Sequence, residues 1–231
     1  MTINYGKHKN ILLQILKDIY ADASIASCLG FKGGTAAYLF YDLDRDSVDL
    51  DFDLLDQSQE QVVFERIKKI VAVYGQVVES IIKRFNLLHV ISYETQAQNI
   101  KIEVNRRNIN SRYEMQIFLG VSMLVMVKED MFAHKLMAMQ ERIGKTSRDI
   151  YDVWFFLKNN WPINHKIIED RSGLSFSEFM QKGIKQLEKM NNRNILAGLG
   201  ELLDKPKKDW VKAKLKEETI FLLKARLETE K

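Results

Sequence analysis

The sequence is poor in the residues that build several common kinds of site. It has one cysteine, two prolines and four histidines, and the histidines show no spacing typical of metal ligands. The single cysteine, Cys28, excludes a disulfide framework or a cysteine-based zinc site within one chain. Its apolar neighbours favour a buried structural thiol over a reactive one.

Long apolar runs are also missing. A membrane-spanning helix needs roughly 20 consecutive apolar residues, and no stretch of this sequence approaches that length. The N-terminal residues lack the apolar segment of a signal peptide. We therefore expect a cytoplasmic protein with no membrane partner.

Charge is spread unevenly along the chain. The formal net charge is +4, but the segment from Gln181 to Lys231 has thirteen Lys or Arg against eight Asp or Glu, so the remainder is slightly acidic. A basic C-terminal part suits a polyanionic partner such as RNA. The alternative is a solvated helical surface.

Hydrophobic periodicity predicts an α+β protein. The predicted helices cover residues 8–27, 36–41 and 59–74, and the predicted strands cover 47–54, 87–93 and 99–105, the last two as a hairpin. The apolar run 121–127 fits either a strand or the start of a helix. From residue 129 the pattern is helical, with breaks expected at Pro162 and Pro206. We predict an α/β domain over 1–120 and a helical domain over 121–231.

The most informative segment is the acidic strand at residues 47–54. Alternation places Val48, Leu50, Phe52 and Leu54 on one side and Ser47, Asp49, Asp51 and Asp53 on the other. Aspartate is a poor strand former, and like charges about 7 Å apart on one face repel each other unless a positive group lies against them. A divalent metal ion would be such a group.

A glycine turn precedes this strand. Gly33, Gly34 and Thr35 come directly before a short helix, where exposed backbone N–H groups form a natural seat for phosphate. The turn and the carboxylates together indicate a metal-dependent phosphate site.

Residues in three further segments are candidates for the same chemistry. Glu103 points away from the apolar face of its predicted strand and could supply a third metal-facing carboxylate, although the pattern also fits an ordinary amphipathic strand. Lys128, Lys135 and Arg142 are spaced by seven, so one helix would align them in a cationic stripe that faces either phosphates or solvent. Asp149 shares a helix face with Asp152, but its place after Thr146 also fits a capping role.

Four motifs then occur in a recognisable order. They are Phe31–Ala37, Arg45–Phe52, Ala133–Leu136 and Arg148–Val153. In this order they resemble the nucleotidyltransferase-like AbiEii/AbiGii toxin family of the DNA polymerase β-like nucleotidyltransferase superfamily. Thr35 stands where serine is commoner in the superfamily and retains the hydroxyl.

The resemblance implies a fold and a set of roles. The fold would be the nucleotidyltransferase fold, a small mixed β-sheet flanked by helices and followed by a helical C-terminal region. The resemblance implies that Asp49 and Asp51 bind Mg²⁺ (or Mn²⁺). It implies that the triphosphate is bound by Gly33, Gly34, Thr35 and Lys135, with Arg45 and Ser47 beside it. It implies a positioning role for Asp149. The implied partners are a nucleoside triphosphate, an acceptor that is a tRNA end in some relatives, and a cognate antitoxin.

Two other classes of function remain open at this stage. A small-molecule nucleotidyltransferase of the antibiotic-modifying type would use the same metal chemistry but needs an acidic pocket for a cationic acceptor. A non-catalytic module of the same fold would bind nucleic acid or a partner protein. The basic C-terminal part disfavours the first, and the presence of both Asp49 and Asp51 disfavours the second, because without metal the paired charges only destabilise the strand.

Overall fold

A computed structural model describes residues 5–95, 97–107 and 110–230. The chain forms two compact units. The first comprises Met1–Asp42 and Ser47–Val127, and the second comprises Leu43–Asp46 and Lys128–Lys231. The short segment Leu43–Asp46 therefore belongs to the second unit although residues of the first flank it in sequence.

The first unit is built on a seven-stranded mixed sheet. Its strands are β1 (Leu29–Lys32), β2 (Leu50–Leu54), β3 (Gln76–Ile82), β4 (Asn86–Ser92), β5 (Ile100–Asn105), β6 (Tyr113–Phe118) and β7 (Val121–Met126). The strand order is β3-β4-β5-β2-β1-β7-β6. β2 is parallel to β5 and β1 is parallel to β7, while the remaining neighbours are antiparallel.

Three helices pack with this sheet: α1 (Tyr5–Ala21), α2 (Gly33–Phe40) and α3 (Glu60–Ala72). α1 contacts α3 and β7, α2 contacts β1 and β2, and α3 contacts β3 and β4. The core between them is aromatic at its centre, where the rings of Phe31 and Phe52 lie 5.3 Å apart and Tyr20 lies 6.1 Å from Phe52. Full burial of the two phenylalanines stabilises the unit by about 2 kcal/mol or more each.

The second unit is helical. It contains α4 (Lys128–Arg142), α5 (Arg148–Lys158), α6 (His165–Ser172), α7 (Phe176–Lys189) and α8 (Lys205–Thr229). Its core is rich in aromatic rings: Phe156 stacks on Trp161 at 3.9 Å, and Trp154 lies 4.2 Å from Trp210. Among the helices of the described ranges, none is long and apolar enough to cross a membrane.

Most of the predicted elements are found, with three differences. The first helix ends at Ala21 instead of residue 27, because a turn and a short 3₁₀ helix occupy the interval before β1. β3 and β6 were not predicted; both are edge strands with largely exposed residues, so no one-sided apolar pattern marks them. The acidic strand begins at Leu50 instead of residue 47, so Ser47, Val48 and Asp49 precede it. The run 121–127, which the sequence left open between strand and helix, is strand β7.

The two prolines behave differently. Pro162 lies between α5 and α6, as predicted. The break predicted at Pro206 is wrong, because this residue lies in the first turn of α8, where proline costs no intrahelical hydrogen bond. The architecture is thus α+β, a mixed sheet with helices followed by a helical region, as the sequence predicts. The division into domains at 1–120 and 121–231 stays a prediction.

Candidate active site

Asp49 and Asp51 lie at the N-terminal end of β2. Asp49 is the residue immediately before the strand and Asp51 is its second residue, and both are partly exposed. In the sheet register Asp51 is the neighbour of Lys32 on β1 and of Glu103 on β5. Two carboxylates on adjacent parallel strands and one lysine therefore form a row across three strands.

The third member of the acidic strand has a different environment. Asp53 is buried, and its carboxylate accepts hydrogen bonds from Lys32 Nζ at 2.5 Å, Asn105 Nδ2 at 2.6 Å and the Tyr113 hydroxyl at 2.5 Å. Burial alone would raise the pKa of Asp53, but the Lys32 ammonium and the hydrogen bonds hold it below its ordinary value. The acidic strand was expected to need a positive group against its carboxylates, and at Asp53 that group is the Lys32 ammonium.

The remaining carboxylates suit a hard cation. Mg²⁺ prefers oxygen ligands and is usually held by one or two carboxylates together with substrate phosphates. Asp49 and Asp51 match that donor set. Over the described residues, no three His, Cys, Asp or Glu side chains are grouped so that they could hold a metal ion, so Glu103 is beside Asp51 in register but is not part of a three-ligand cluster here.

Gly33 is required by its surroundings as well as by its backbone. Its φ is +80°, in the left-handed region, and a Cβ at this position would lie 2.4 Å from Asp51 Oδ2. The Asp51 carboxylate thus packs directly against the Gly33 main chain. Gly34, the next residue, is buried in the first turn of α2.

Replacement of Gly33 by alanine should therefore destabilise the first unit and displace Asp51. Gly120 is a matched control, since its φ is +78° but no atom lies within 4 Å of the added Cβ. We expect both variants to lose about 1 kcal/mol from backbone strain and Gly33→Ala to lose roughly 1–3 kcal/mol more from the steric clash, measured by urea unfolding. Equal losses in the two variants would contradict the packing of Asp51 on Gly33.

Thr35 fixes the main chain of Asp49. The threonine is buried, and its Oγ1 lies 2.5 Å from the Asp49 carbonyl oxygen and 2.8 Å from Ser47 Oγ. A hydroxyl has a single proton, so Thr35 donates to the carbonyl and accepts from Ser47. In this arrangement Thr35 and Ser47 hold Asp49 in place; their predicted contact with a triphosphate stays a prediction.

This role gives a second test. Thr35→Val keeps the side-chain volume but leaves the partly buried Asp49 carbonyl without its donor, so we expect a loss of about 1–2 kcal/mol in unfolding free energy. Thr35→Ser retains the hydroxyl and should recover most of that loss. Urea unfolding of both variants measures the difference, and equal stability of the two would show that the hydroxyl does not matter.

The second unit contains a buried cluster of charges around Asp152. Arg45 donates to this carboxylate through both Nε, at 2.6 Å, and Nη2, at 2.7 Å, and Lys135 Nζ lies 2.7 Å from its Oδ2. The Arg45 and Asp152 side chains are 1% and 0% exposed. Burial would raise the pKa of Asp152, but the two cations outweigh it and lower the pKa to about 2.

Asp149 joins the same cluster. Its carboxylate lies 2.9 Å from Lys135 Nζ and 3.2 Å from Arg142 Nη1, and burial is again outweighed by the lysine, so the pKa of Asp149 lies below its ordinary value. The pKa of Lys135 is raised, because its two carboxylates outweigh the effect of burial. Three cations and two carboxylates leave the cluster with one net positive charge.

The structure thereby decides several alternatives from the sequence. Lys128, Lys135 and Arg142 do lie on one helix, α4, and none of them simply extends into solvent: Lys128 lies over the Trp161 ring at 5.3 Å, and the other two bind Asp149. Thr146 Oγ1 accepts from the Arg148 main-chain N–H at 3.4 Å, which fits the predicted capping role of this turn, while the Asp149 carboxylate binds Lys135 and Arg142.

One predicted residue has unexpected surroundings, and one residue was missed. Arg45 is buried against Asp152 and also donates to the Asp46 carbonyl oxygen, so all three of its described hydrogen bonds are within the second unit. Asp152 was noted only for sharing a face with Asp149, yet it is the centre of the cluster. The i, i+3 spacing of the two aspartates ahead of an apolar run was the signal that could have found it.

Comparisons with known proteins agree with this architecture. The family model described as nucleotidyl transferase AbiEii toxin, type IV TA system, matches residues 14–216. Two crystal structures from Helicobacter pylori show the same nucleotidyltransferase fold. A candidate nucleotidyltransferase has 20% identity and a TM-score of 0.58 over 100% of this chain and 99% of the other. The protein JHP933 has 19% identity and a TM-score of 0.56 over 100% and 96%.

No curated protein matches the sequence. The family match nevertheless extends over most of the chain and includes both the Asp49–Asp51 segment and the Lys135–Asp149 cluster. The chain therefore belongs to the AbiEii family of nucleotidyl transferase toxins of type IV toxin–antitoxin systems.

Proposed function

We propose that this AbiEii family member transfers a nucleotide from a nucleoside triphosphate to an RNA acceptor, such as a tRNA end, and that Asp49 and Asp51 hold the Mg²⁺ or Mn²⁺ that the transfer needs. The observation that carries the proposal is the pair of partly exposed carboxylates held at the start of β2. Asp49 is fixed through its carbonyl by Thr35, and Asp51 packs on Gly33.

The protein's own residues would prepare this site before substrate arrives. When bound, the ion would neutralise phosphate charge and polarise the reacting phosphorus. The first-turn N–H groups of α2, which follow Gly33 at the end of β1, can bind phosphate oxygens. Gly34 lies in that first turn, and Ser47 is hydrogen-bonded to Thr35 of the same turn. Glu103, next to Asp51 in register, is our candidate for a further carboxylate at the ion.

Lys135 supplies the cation that we assign to the triphosphate. Its ammonium is held by Asp149 and Asp152 and remains charged, because these two carboxylates raise its pKa. The side chain is 14% exposed, and the cluster around it keeps a net positive charge, so an anion would be attracted to its accessible side. Arg45 would act as a positioning residue through Asp152.

The test is incubation of the protein with each labelled nucleoside triphosphate, total RNA and Mg²⁺, followed by electrophoresis. We expect label from at least one triphosphate to be transferred to RNA, and the transfer to require the divalent ion. Transfer to a cationic small molecule but not to RNA would support the antibiotic-modifying alternative. Failure to bind or turn over any triphosphate would support a non-catalytic module.

The toxin–antitoxin description of the family also implies a cognate antitoxin. We propose that such a partner counteracts the activity of this chain. Co-expression with genes that neighbour its own should then relieve growth inhibition caused by the wild-type protein, whereas the Asp51→Asn variant should cause no inhibition to relieve. Growth inhibition that persists in Asp51→Asn would show that toxicity does not depend on nucleotide transfer.

A further inference from the structure

A cavity of about 520 Å³ lies in the second unit, and none of the residues proposed for metal, triphosphate or positioning lines it. It is formed by the end of α4, residues 143–147, the end of α7 and residues 190–197. Three of its lining residues, Lys145, Lys189 and Arg193, are cations with exposed side chains, and none of its lining residues is Asp or Glu. The cavity is therefore positively charged along its rim.

These three cations differ from several of those on α8. Within the described ranges, no carboxylate lies within ion-pair distance of Lys145, Lys189 or Arg193. On α8, by contrast, Lys207 is 3.4 Å from Asp44 and Lys224 is 2.7 Å from Glu188, so part of that charge is already compensated. The cavity rim therefore keeps all of its positive charge, whereas the charge on α8 is compensated in part.

The basic surface continues along α7. Lys182, Lys185 and Lys189 are spaced by three and four, so they lie on one face of the helix, and all three are exposed. Glu178 carries one opposing charge at the start of this face, where its carboxylate accepts from the Ser175 backbone and hydroxyl in a capping box. Glu188 is paired with Lys224, so the three lysines leave a net positive charge. A second hollow of about 440 Å³ lies on this face and shares Gln186 and Lys189 with the cavity.

The polar lining of the cavity points to more than a simple anion. Gln186 Oε1 is buried and has no hydrogen-bond partner among the described residues. An amide oxygen needs an N–H or O–H donor, which a fully ionised phosphate lacks. A nucleotide offers both an N–H donor on its base and negative charge on its phosphate. The cavity volume also lies within the roughly 300–1,000 Å³ that is typical of pockets for small ligands.

We propose that this cavity and the α7 lysine face bind single-stranded RNA, with one base in the cavity near Gln186 and the backbone phosphates on Lys145, Lys189, Arg193 and the lysines of α7. That the bound strand is the acceptor of the transfer reaction rests on the function proposed above. The cations give affinity without regard to sequence, and the cavity favours an unpaired nucleotide over a duplex.

The first experiment measures binding of a fluorescent single-stranded RNA oligomer by anisotropy at several salt concentrations, without triphosphate. Lys189→Gln/Arg193→Gln removes two phosphate contacts, so the slope of log affinity against log salt should fall by roughly 1.4, a loss of about tenfold at 0.15 M salt. Lys208→Gln/Lys214→Gln is the control, since it removes the same charge from α8. It should bind like the wild type.

A second variant tests the cavity itself. Gln186→Met removes the amide at similar length, so affinity should fall while the salt slope stays unchanged, because no phosphate contact is lost. All substituted side chains are exposed or partly exposed, and circular dichroism should confirm that each variant is folded. A salt slope that falls equally in the α8 control, or an unchanged affinity in Gln186→Met and the cavity double variant, would overturn the inference.

The outcome can be separated from that of the proposed function. Asp49→Asn/Asp51→Asn should bind the oligomer like the wild type but should not transfer nucleotide. If the cavity variants bind RNA and transfer nucleotide like the wild type, only the inference that the cavity binds RNA is wrong. Absence of RNA binding by the wild type would also refute it, whereas absence of any triphosphate turnover with normal cavity-dependent RNA binding would refute the transfer reaction alone.

Discussion

Asp51→Asn should abolish nucleotide transfer and leave the fold intact. The substitution removes one of two carboxylates proposed to hold the metal ion, and loss of several kcal/mol of transition-state stabilisation corresponds to a decrease on the order of 10³-fold in rate. Asp51 is only partly buried, so stability should change little. Single-turnover transfer assays and thermal unfolding measure the two effects.

The metal can be tested in the same variant without turnover. Mg²⁺ with a nucleoside triphosphate should raise the melting temperature of the wild type, because a ligand that binds only the folded state stabilises it by mass action. The rise should vanish in Asp51→Asn. A metal-dependent rise of equal size in the variant would place the ion elsewhere.

Asp53→Asn, two residues further along the same strand, is the matched control. Here the carboxylate is buried and accepts from Lys32, Asn105 and Tyr113, so its loss leaves the lysine without its partner. We expect a loss of about 2–4 kcal/mol in unfolding free energy. The aspartate-to-asparagine change should therefore abolish nucleotide transfer when made at Asp51 and lower the unfolding free energy when made at Asp53.

Arg45→Met should cause one of the largest losses of stability in the second unit. The substitution leaves the fully buried Asp152 with Lys135 as its remaining cation, and breaking a buried ion pair from one side costs about 3 kcal/mol or more. Arg142→Met is the control, because Arg142 binds the same cluster through Asp149 with a side chain that is 48% exposed. Its effect should stay below about 1 kcal/mol, as measured by urea unfolding.

The same cluster predicts how stability depends on acid. Because the folded-state pKa of Asp152 is about 2, below its ordinary value of 3.8, the carboxylate stabilises the fold above pH 3.8, and this contribution is lost as the pH falls from 3.8 through 2. Arg45→Met should raise the folded-state pKa and move acid unfolding to higher pH. Unfolding curves for Arg45→Met and Arg142→Met between pH 2 and 6 measure this shift, which should be much smaller in the control because the exposed Arg142 acts only on Asp149.

The sequence was sufficient wherever one face of an element is buried. Alternation in residues 47–54 predicted burial of Leu50 and Phe52, and both are fully buried in β2. The pattern from residue 129 predicted a helix, and α4 carries Lys128, Lys135 and Arg142. These patterns succeed because the periods of strands and helices are set by backbone geometry alone. Where no face is buried, as in the edge strands β3 and β6, the pattern is absent and the prediction failed.

The order of the motifs also determined the family, since the Gly33–Thr35 turn, the Asp49–Asp51 segment and the Lys135–Asp149 pair follow one another in the chain. Which charges meet was decided only by the tertiary structure. Lys32 reaches Asp53 because antiparallel pairing brings β1 beside β2, and Arg45 reaches Asp152 across more than one hundred residues. Such pairings depend on how the elements pack in space. An aspartate that binds a buried cation and an aspartate that binds a ligand are the same residue type, so the sequence alone does not distinguish them.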